Sequence, residues 1–408
     1  MNNKAVKIFL SVILAVVLIF GVVAVVQSVR NDDAPEAVSA AATEGASTEA
    51  PEPETQAPKT VTLQFLSVGD NLIHDGIYEQ AQKRAGGSGY DFSFCYERVK
   101  DTVQKADIAT INQETIIAKS YKPSGYPLFN SPTELGDEVV KTGFDVVSMA
   151  NNHMLDKTSK GLQEAIEFWD SKEGIAHTGA YKDEADLETV EYIEKDGIKI
   201  GLVGVTQYTN GLSLPKDSPM KILYTTDTAA IEKKIKAAAA SCDMVLVNAH
   251  WGSEYTTTPS QDQRNLAAKM AEWGADVIIG HHPHVLQPVE WIDNADGSRT
   301  LVAYSLGNFI SQQNTAARVI GGMLHYSVTV DKSSGAVTVS DVKLEPIVTH
   351  YDLSAFAIQR YARQKTGKPY QTVGFQHFLY SGFCQRRNPR RIFRPVNKFD
   401  YKKENLCS

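Results

Sequence analysis

Four cysteines, Cys95, Cys242, Cys384 and Cys407, fall in 408 residues with no close CxxC spacing. That scarcity excludes a zinc knuckle and a dense disulfide scaffold. Were the folded part extracytoplasmic, Cys384 with Cys407 is the pair to test for a bridge. No Gly-Lys-Ser phosphate loop, no Rossmann glycine fingerprint and no Gly-x-Ser-x-Gly elbow occurs, which argues against ATPase, dinucleotide and serine-hydrolase chemistry. A concentrated basic surface is also missing. The formal charge is -7, giving no support to sequence-independent nucleic-acid binding, so no nucleic-acid partner is expected. Histidine is scarce too, ten in all, which makes the placement of those ten informative.

One long apolar run is present. Lys4 and Lys7 precede an uncharged stretch over residues 8–26, about 28 Å if helical and close to the roughly 30 Å hydrocarbon thickness. The lysines before it, with Asp32 and Asp33 after it, predict a single-pass transmembrane anchor over 1–30, N-terminus cytoplasmic and the remainder extracellular, in the cell membrane. A cleaved signal peptide competes, but the run exceeds the usual apolar core and no clear small-x-small site follows. Residues 31–60 are rich in Ala, Glu, Thr and Pro. With almost no large apolar side chain, they predict a disordered acidic linker.

From Thr60 the pattern becomes α/β. Strands are predicted at 60–68, 107–111, 144–149, 244–248 and 277–279, and helices at 94–104, 134–142, 161–173, 227–240 and 260–273. Lys195-Asp196-Gly197 predicts the turn of a hairpin. After 285 the pattern turns mostly to strands, closing near Leu344. The rhythm implies βαβ units in a layered sheet with late antiparallel pieces. Without an internal repeat, residues 61–350 read as one domain, with 351–408 a C-terminal extension. That extension holds the basic run Gln385–Arg394, suited to an anionic polymer or to lipid heads, or else a terminal tail with no role.

Polar residues recur where apolar strands end, the position at which open α/β sheets hold their sites. Asp70 follows the first strand, with Gly69 before it to permit an unusual turn. Asn112 and Glu114 alternate after the second, so both face one way. Asn151-Asn152-His153 follows the third. His250 ends an otherwise apolar run, and Glu254 is placed to orient it or to act as acid or base. In His281-His282-Pro283-His284, the alternate residues His282 and His284 suit two metal ligands, or one ligand and a general acid. Asn308, in Tyr304-Ser305-Leu306-Gly307-Asn308-Phe309, is placed to support them from behind.

Together these segments resemble the CapA-type proteins of bacterial poly-γ-glutamate capsule biosynthesis over about residues 62–345. That family in turn is similar to the calcineurin-like metallophosphoesterases. The resemblance implies a four-layered α/β/β/α sandwich and a one- or two-metal centre of Asp70, Glu114, Asn152, His250, His282 and His284. The divalent ion would be Mn, Zn or Fe, and His153 would protonate the leaving oxygen. The chain departs from the metallophosphoesterase pattern at Leu72, where an Asp-x-His pair would have its histidine. His74 is the nearest substitute.

The leading expectation is therefore a membrane-anchored, metal-dependent hydrolase-like component of envelope-polymer synthesis, with His153, Glu254 and His284 as its acid–base groups. Its partners would be an anionic polymer such as poly-γ-glutamate and a membrane synthase or export complex. Two alternatives remain open. One is a non-catalytic polyanion-binding or assembly protein; the other is a metal-free epimerase-like enzyme using His250 with Glu254.

Overall fold

The structure is a computed structural model describing residues 60–352 and 374–379. Strands β1 (Thr60–Asn71), β2 (Ile108–Asn112), β3 (Val146–Ser148) and β4 (Ala176–Thr178) run parallel in one sheet. Three antiparallel strands extend that sheet on the other side of β1: β12 (Ile320–Asp331), β13 (Ala336–Asp352) and β14 (Gly374–Leu379). The short β11 (Asn308–Ile310) pairs with the end of β1. A second sheet has the order β5 (Glu191–Lys195), β6 (Ile198–Thr206), β7 (Met244–His250), β8 (Val277–His281), β10 (Arg299–Ala303) and β9 (Val289–Asp293). The chain thus has a mixed α/β fold with two sheets.

Alternation along the strands divides the apolar side chains among three clusters, because successive side chains leave opposite faces of a strand. Leu63 and Phe65 of β1 share one cluster with Ile200 and Leu202 of β6, Leu246 of β7 and Ile279 of β8. The other face of the first sheet, with Leu66, Ala109 and Val147, packs on α1 (Asp75–Arg84), α4 (Thr133–Thr142) and α5 (Thr158–Asp170) through Ile77, Val139 and Trp169. In the second sheet, Val203, Val245 and Val247 pack on α7 (Thr228–Ser241) and α8 (Gln261–Glu272) through Ile235 and Met270. Three shorter helices complete the described set: α2 (Ser93–Tyr96), α3 (Lys100–Val103) and α6 (Glu184–Glu188).

The register of the parallel strands has a local cause that repeats four times. Asp107, Asp145, Asp243 and Asp276 each stand immediately before a strand. Each carboxylate accepts from a backbone N–H of the neighbouring strand, at Gln64, Ala109, Lys199 and Val245, at 2.7–2.8 Å. The N–H of each aspartate donates in return to the carbonyl of that same neighbour. The two bonds lock one strand to the next, so that the downstream ends, where the polar residues lie, come level.

The predicted hairpin forms between β5 and β6, with Asp196 and Gly197 both at positive φ (51° and 73°), as a type I′ turn requires. Several expectations differ from the outcome. The helix predicted over 94–104 is two single turns, α2 and α3, and the helix α1 has no counterpart in the prediction. Strand β14 lies within the segment assigned to a C-terminal extension and widens the first sheet.

The expected transmembrane helix, and the single-pass cell-membrane localisation drawn from it, are corrected. Among the described residues no helix is long and apolar enough to cross a membrane. The longest, α7, has 14 residues and carries Lys233, Lys234 and Lys236; at 1.5 Å per residue it is about 21 Å long. The apolar run over 8–26, the linker over 31–60 (except Thr60, which begins β1), the Cys384–Cys407 pair and the basic run over 385–394 lie outside the described residues. Cys95 is buried, and Cys242 is half-buried.

Partial burial raises the Asp145 carboxyl from an ordinary 3.8 to about 6, against the hydrogen bond from Ala109. The stability held by its protonated form is complete below the ordinary value and is lost as pH rises through about 6. Asp145→Asn keeps an oxygen acceptor without the charge. Its urea midpoint should gain on wild type between about pH 4 and about pH 7.5. An advantage independent of pH would show that the carboxylate's ionisation is irrelevant.

Candidate metal centre

Strand register lines up the polar residues laterally. In the first sheet Asn112, Asp70 and Asn308 are neighbours across β2, β1 and β11; in the second, His250 is level with His281 across β7 and β8. The strand ends come this close only because two glycines leave room. A Cβ on Gly69 would fall 1.9 Å from the Gly307 carbonyl oxygen, and one on Gly280 would fall 2.0 Å from that of Tyr304. Gly69 therefore serves close approach, since it is not at positive φ, rather than the unusual turn expected of it. After β8 the chain folds tightly, with His282 at φ 95° and His284 at φ 57°. A non-glycine residue adopts such values only where its surroundings impose them.

Asp70, Asn112, Glu114, Asn152, His250, His282 and His284 are all buried around one centre. Asn112 Nδ2 donates to Asp70 Oδ1 (2.8 Å) and also faces His250 Nδ1 (3.3 Å). Because the carboxylate orients that amide, His250 Nδ1 is an acceptor and its proton is on Nε2. Nε2 lies 2.9 Å from Asn152 Oδ1 and 3.1 Å from His282 Nδ1. The remaining nitrogen of His282 bonds the Tyr208 hydroxyl. His284 Nδ1 faces two oxygens, Asp70 Oδ2 (3.1 Å) and Asn308 Oδ1 (3.0 Å), so it carries a proton. His284 Nε2 is thereby aimed at Glu114 Oε1, 3.7 Å away.

Glu114 is the anomaly. It is fully buried, and neither carboxylate oxygen has a hydrogen-bond partner. Burial, opposed by the charge on His284, pushes its pKa well above the ordinary range. Burial also opposes the charge on Asp70, yet His284 and His281 together hold that carboxyl below its usual value. His284 is the complement: burial disfavours its charge, but Glu114 and Asp70 raise it to about 9. Burial and neighbouring imidazoles depress His250 well below its ordinary value and His282 to about 4, leaving both neutral.

A buried carboxylate with bare oxygens calls for a cation. Glu114, His282 and His284 each offer a ligand atom, and these atoms all lie within 4.8 Å of one another. Two imidazoles and a carboxylate form a donor set for a borderline divalent ion, so the residues present fit the group the resemblance implies.

The other expected residues sort by place. His153 is anchored by Asp156, with Nδ1 2.7 Å from Oδ2, and its ring stands edge-on to Phe129 at 4.7 Å. Glu254 is exposed, and the hydrogen-bond partners of His250 are Asn112, Asn152 and His282 instead. Leu72 is buried, while His74 Nδ1 contacts the Leu72 carbonyl and the Gln312 N–H at the start of α1. Sequence reasoning missed Asp156, Tyr208 and Asn210, the last of which accepts from Asn152 Nδ2 (3.2 Å). A signal existed: Gln207-Tyr208-Thr209-Asn210 follows the apolar β6 as the other site segments follow their strands. Asp156 is three residues beyond His153.

Residues 64–313 match the bacterial capsule synthesis protein family PGA_cap. The chain belongs to that family. It is 28% identical over 272 residues to the capsule biosynthesis protein CapA of Bacillus anthracis, covering 65% of this chain and 63% of that one. To the PGA biosynthesis protein CapA of Bacillus subtilis strain 168 it is 32% identical over 269 residues, covering 64% and 67%. Among solved structures it is similar to a phosphatase from Mycoplasma pneumoniae (TM-score 0.41, 14% identity, 71% of this chain and 94% of that one). It is also similar to the protein TT1561 of Thermus thermophilus (TM-score 0.35, 10% identity, 69% and 100%). The family match begins within β1 and ends just beyond β11, and so takes in every residue of the centre.

In this PGA_cap protein, the contact that opposes Gly280 to Tyr304 is backbone against backbone. Gly280→Ala should destabilise the fold by about 1–3 kcal/mol or more, read from urea unfolding. A neutral result would show that the strands can part without cost.

Proposed function

We propose that this protein is a metal-dependent, hydrolase-like component of envelope-polymer biosynthesis, acting on an anionic polymer such as poly-γ-glutamate. The carrying observation is Glu114, whose two bare, buried oxygens converge with His282 and His284. The names of the two Bacillus relatives supply the biological direction, and the match spans 63% and 67% of their lengths. The division of apolar clusters supports the finer reading of the fold as a four-layered α/β/β/α sandwich of metallophosphoesterase type, in one domain covering about 61–350.

In this reading Glu114, His282 and His284 hold the ion, with Asp70 and Asn152 completing one or two positions, and His250 joins them only when the proton on its Nε2 is displaced by the ion. Asn112 and Asn308 orient His250 and His284 from behind. When bound, a divalent cation (Mn, Zn or Fe) supplies Lewis acidity toward the scissile group and a more acidic nucleophile. His153 moves the proton: with Nδ1 held by Asp156, its other nitrogen donates to the departing oxygen. The buried imidazoles and apolar surroundings exclude bulk water and strengthen every electrostatic term.

A second reading, a protein that holds the polyanion within an assembly or export complex without turning it over, draws on one observation. Buried Leu72 stands where a ligand histidine would complete a two-metal set. The metal-free reading with Glu254 as partner of His250 has no such support.

Elemental analysis of the purified chain should find about one to two equivalents of divalent metal. Glu114→Gln and His282→Ala should lose it while keeping their circular dichroism. Turnover of γ-glutamyl polymer or of a phosphodiester should stop on chelation and return on reloading. A wild-type chain without metal, or turnover indifferent to chelation, would sink the metal-dependent reading. Metal with polymer binding but no product would favour the assembly reading.

A further inference from the structure

Exposed apolar surface is gathered at the mouth of the centre. Of the five large apolar side chains exposed among the described residues, four are Tyr126, Leu128, Leu212 and Tyr255. Tyr126 packs edge-on against Phe129, which packs on His153; Leu212 closes the turn holding Asn210, the partner of Asn152. A rim of this kind binds something that enters from solvent.

Tyr255 is the most constrained of the four. It sits at φ 64°, its N–H donates to the Pro283 carbonyl (2.7 Å), and its ring lies 6.1 Å from the ring of His284. The Arg318 guanidinium carbon stands 3.2 Å from the centroid of the Tyr255 ring. Arg318 is tied to the same histidine from behind. Its carbonyl accepts from Asn308 Nδ2 (2.9 Å), and Asn308 Oδ1 holds His284 Nδ1 (3.0 Å). Arg318 is half-buried, and among the described residues its guanidinium forms no ion pair. A guanidinium laid on an aromatic face keeps its N–H donors in the ring-parallel plane, free to grip an oxyanion in a fork.

We propose that Arg318, carried on Tyr255, is a specificity-determining residue that grips one anionic group of the substrate, a carboxylate or a phosphate, beside the centre. This rests on the substrate reading above. The exposed Glu254, next to Tyr255, adds a negative charge to the same lip. The lip therefore favours one anion in one register over a diffuse polyanion. Side-chain identity matters as well as charge, since lysine offers no planar fork.

The test uses the full chain and three probes: oligo-γ-glutamate, the same oligomer with its α-carboxyls amidated, and polyphosphate. Each titration is paired with elemental analysis of the same sample. Arg318→Gln should weaken binding of the anionic probe by about tenfold or more, the loss of a charge-assisted fork. Metal content and binding of the amidated oligomer should not change, and Arg318→Lys should recover only part of the affinity. Dependence on Arg318 for polyphosphate alone would support the lip and name phosphate as its ligand. Equal affinity of wild type and Arg318→Gln for both anions would overturn the proposal, as would a metal-loaded wild type that binds neither. Absence of metal from the wild type would count against the metal centre and leave the lip to be judged by its anion titrations. Should Arg318→Gln lose metal or fold, the comparison of Arg318→Lys with wild type decides.

Discussion

A carboxylate sealed from water without a hydrogen-bond donor is the constraint around which this molecule is arranged. Moving an isolated carboxylate into a low-dielectric interior costs several kcal/mol even after relaxation, and Glu114 has no donor to offset it. What offsets it is positive charge. Without metal, His284 carries that charge, held to about 9 by Glu114 and Asp70, while His250 and His282 are kept neutral by burial. One cationic and two neutral imidazoles beside two carboxylates have the electrostatics of a cation site.

Such a centre needs strands from two sheets to end at one place, and the fold supplies this through backbone alone. Four aspartates fix where parallel neighbours begin, and so fix where they finish. The absent side chains of Gly69 and Gly280 then allow the ends to close on the chain at Gly307 and Tyr304. The polar residues are delivered by strand length and register, and the strained turn through His282 and His284 sets the last two inward. Orientation comes from amides: Asn112 on His250 and Asn308 on His284.

Much of this was legible in the chain because buried strands and polar strand ends are local patterns. Asp70, Asn112 and His250 each interrupt an apolar run, and that interruption is visible without a partner. The hairpin at Asp196-Gly197 was legible for the same reason, its turn chemistry being contained in two residues. Other features depend on residues far apart. Gly69 reads as a turn until Gly307 is seen against it. Glu254 reads as the partner of His250 until Asn112, 138 positions away from that histidine, takes its Nδ1. Hydropathy of the run over 8–26 invited a membrane-spanning reading, yet no described helix has the length or composition to cross a bilayer.

By itself the sequence determined the α/β class, the starts of β1, β2, β7 and β8 to within a residue, and the donor types offered at the strand ends, since alternation, turn residues and donor type are properties of short segments. Tertiary structure alone decided that the two bare oxygens belong to Glu114, which imidazole is charged, and that Tyr255 and Arg318 meet beside His284. Those outcomes depend on burial and on distances between residues remote in the chain, and no local pattern encodes either.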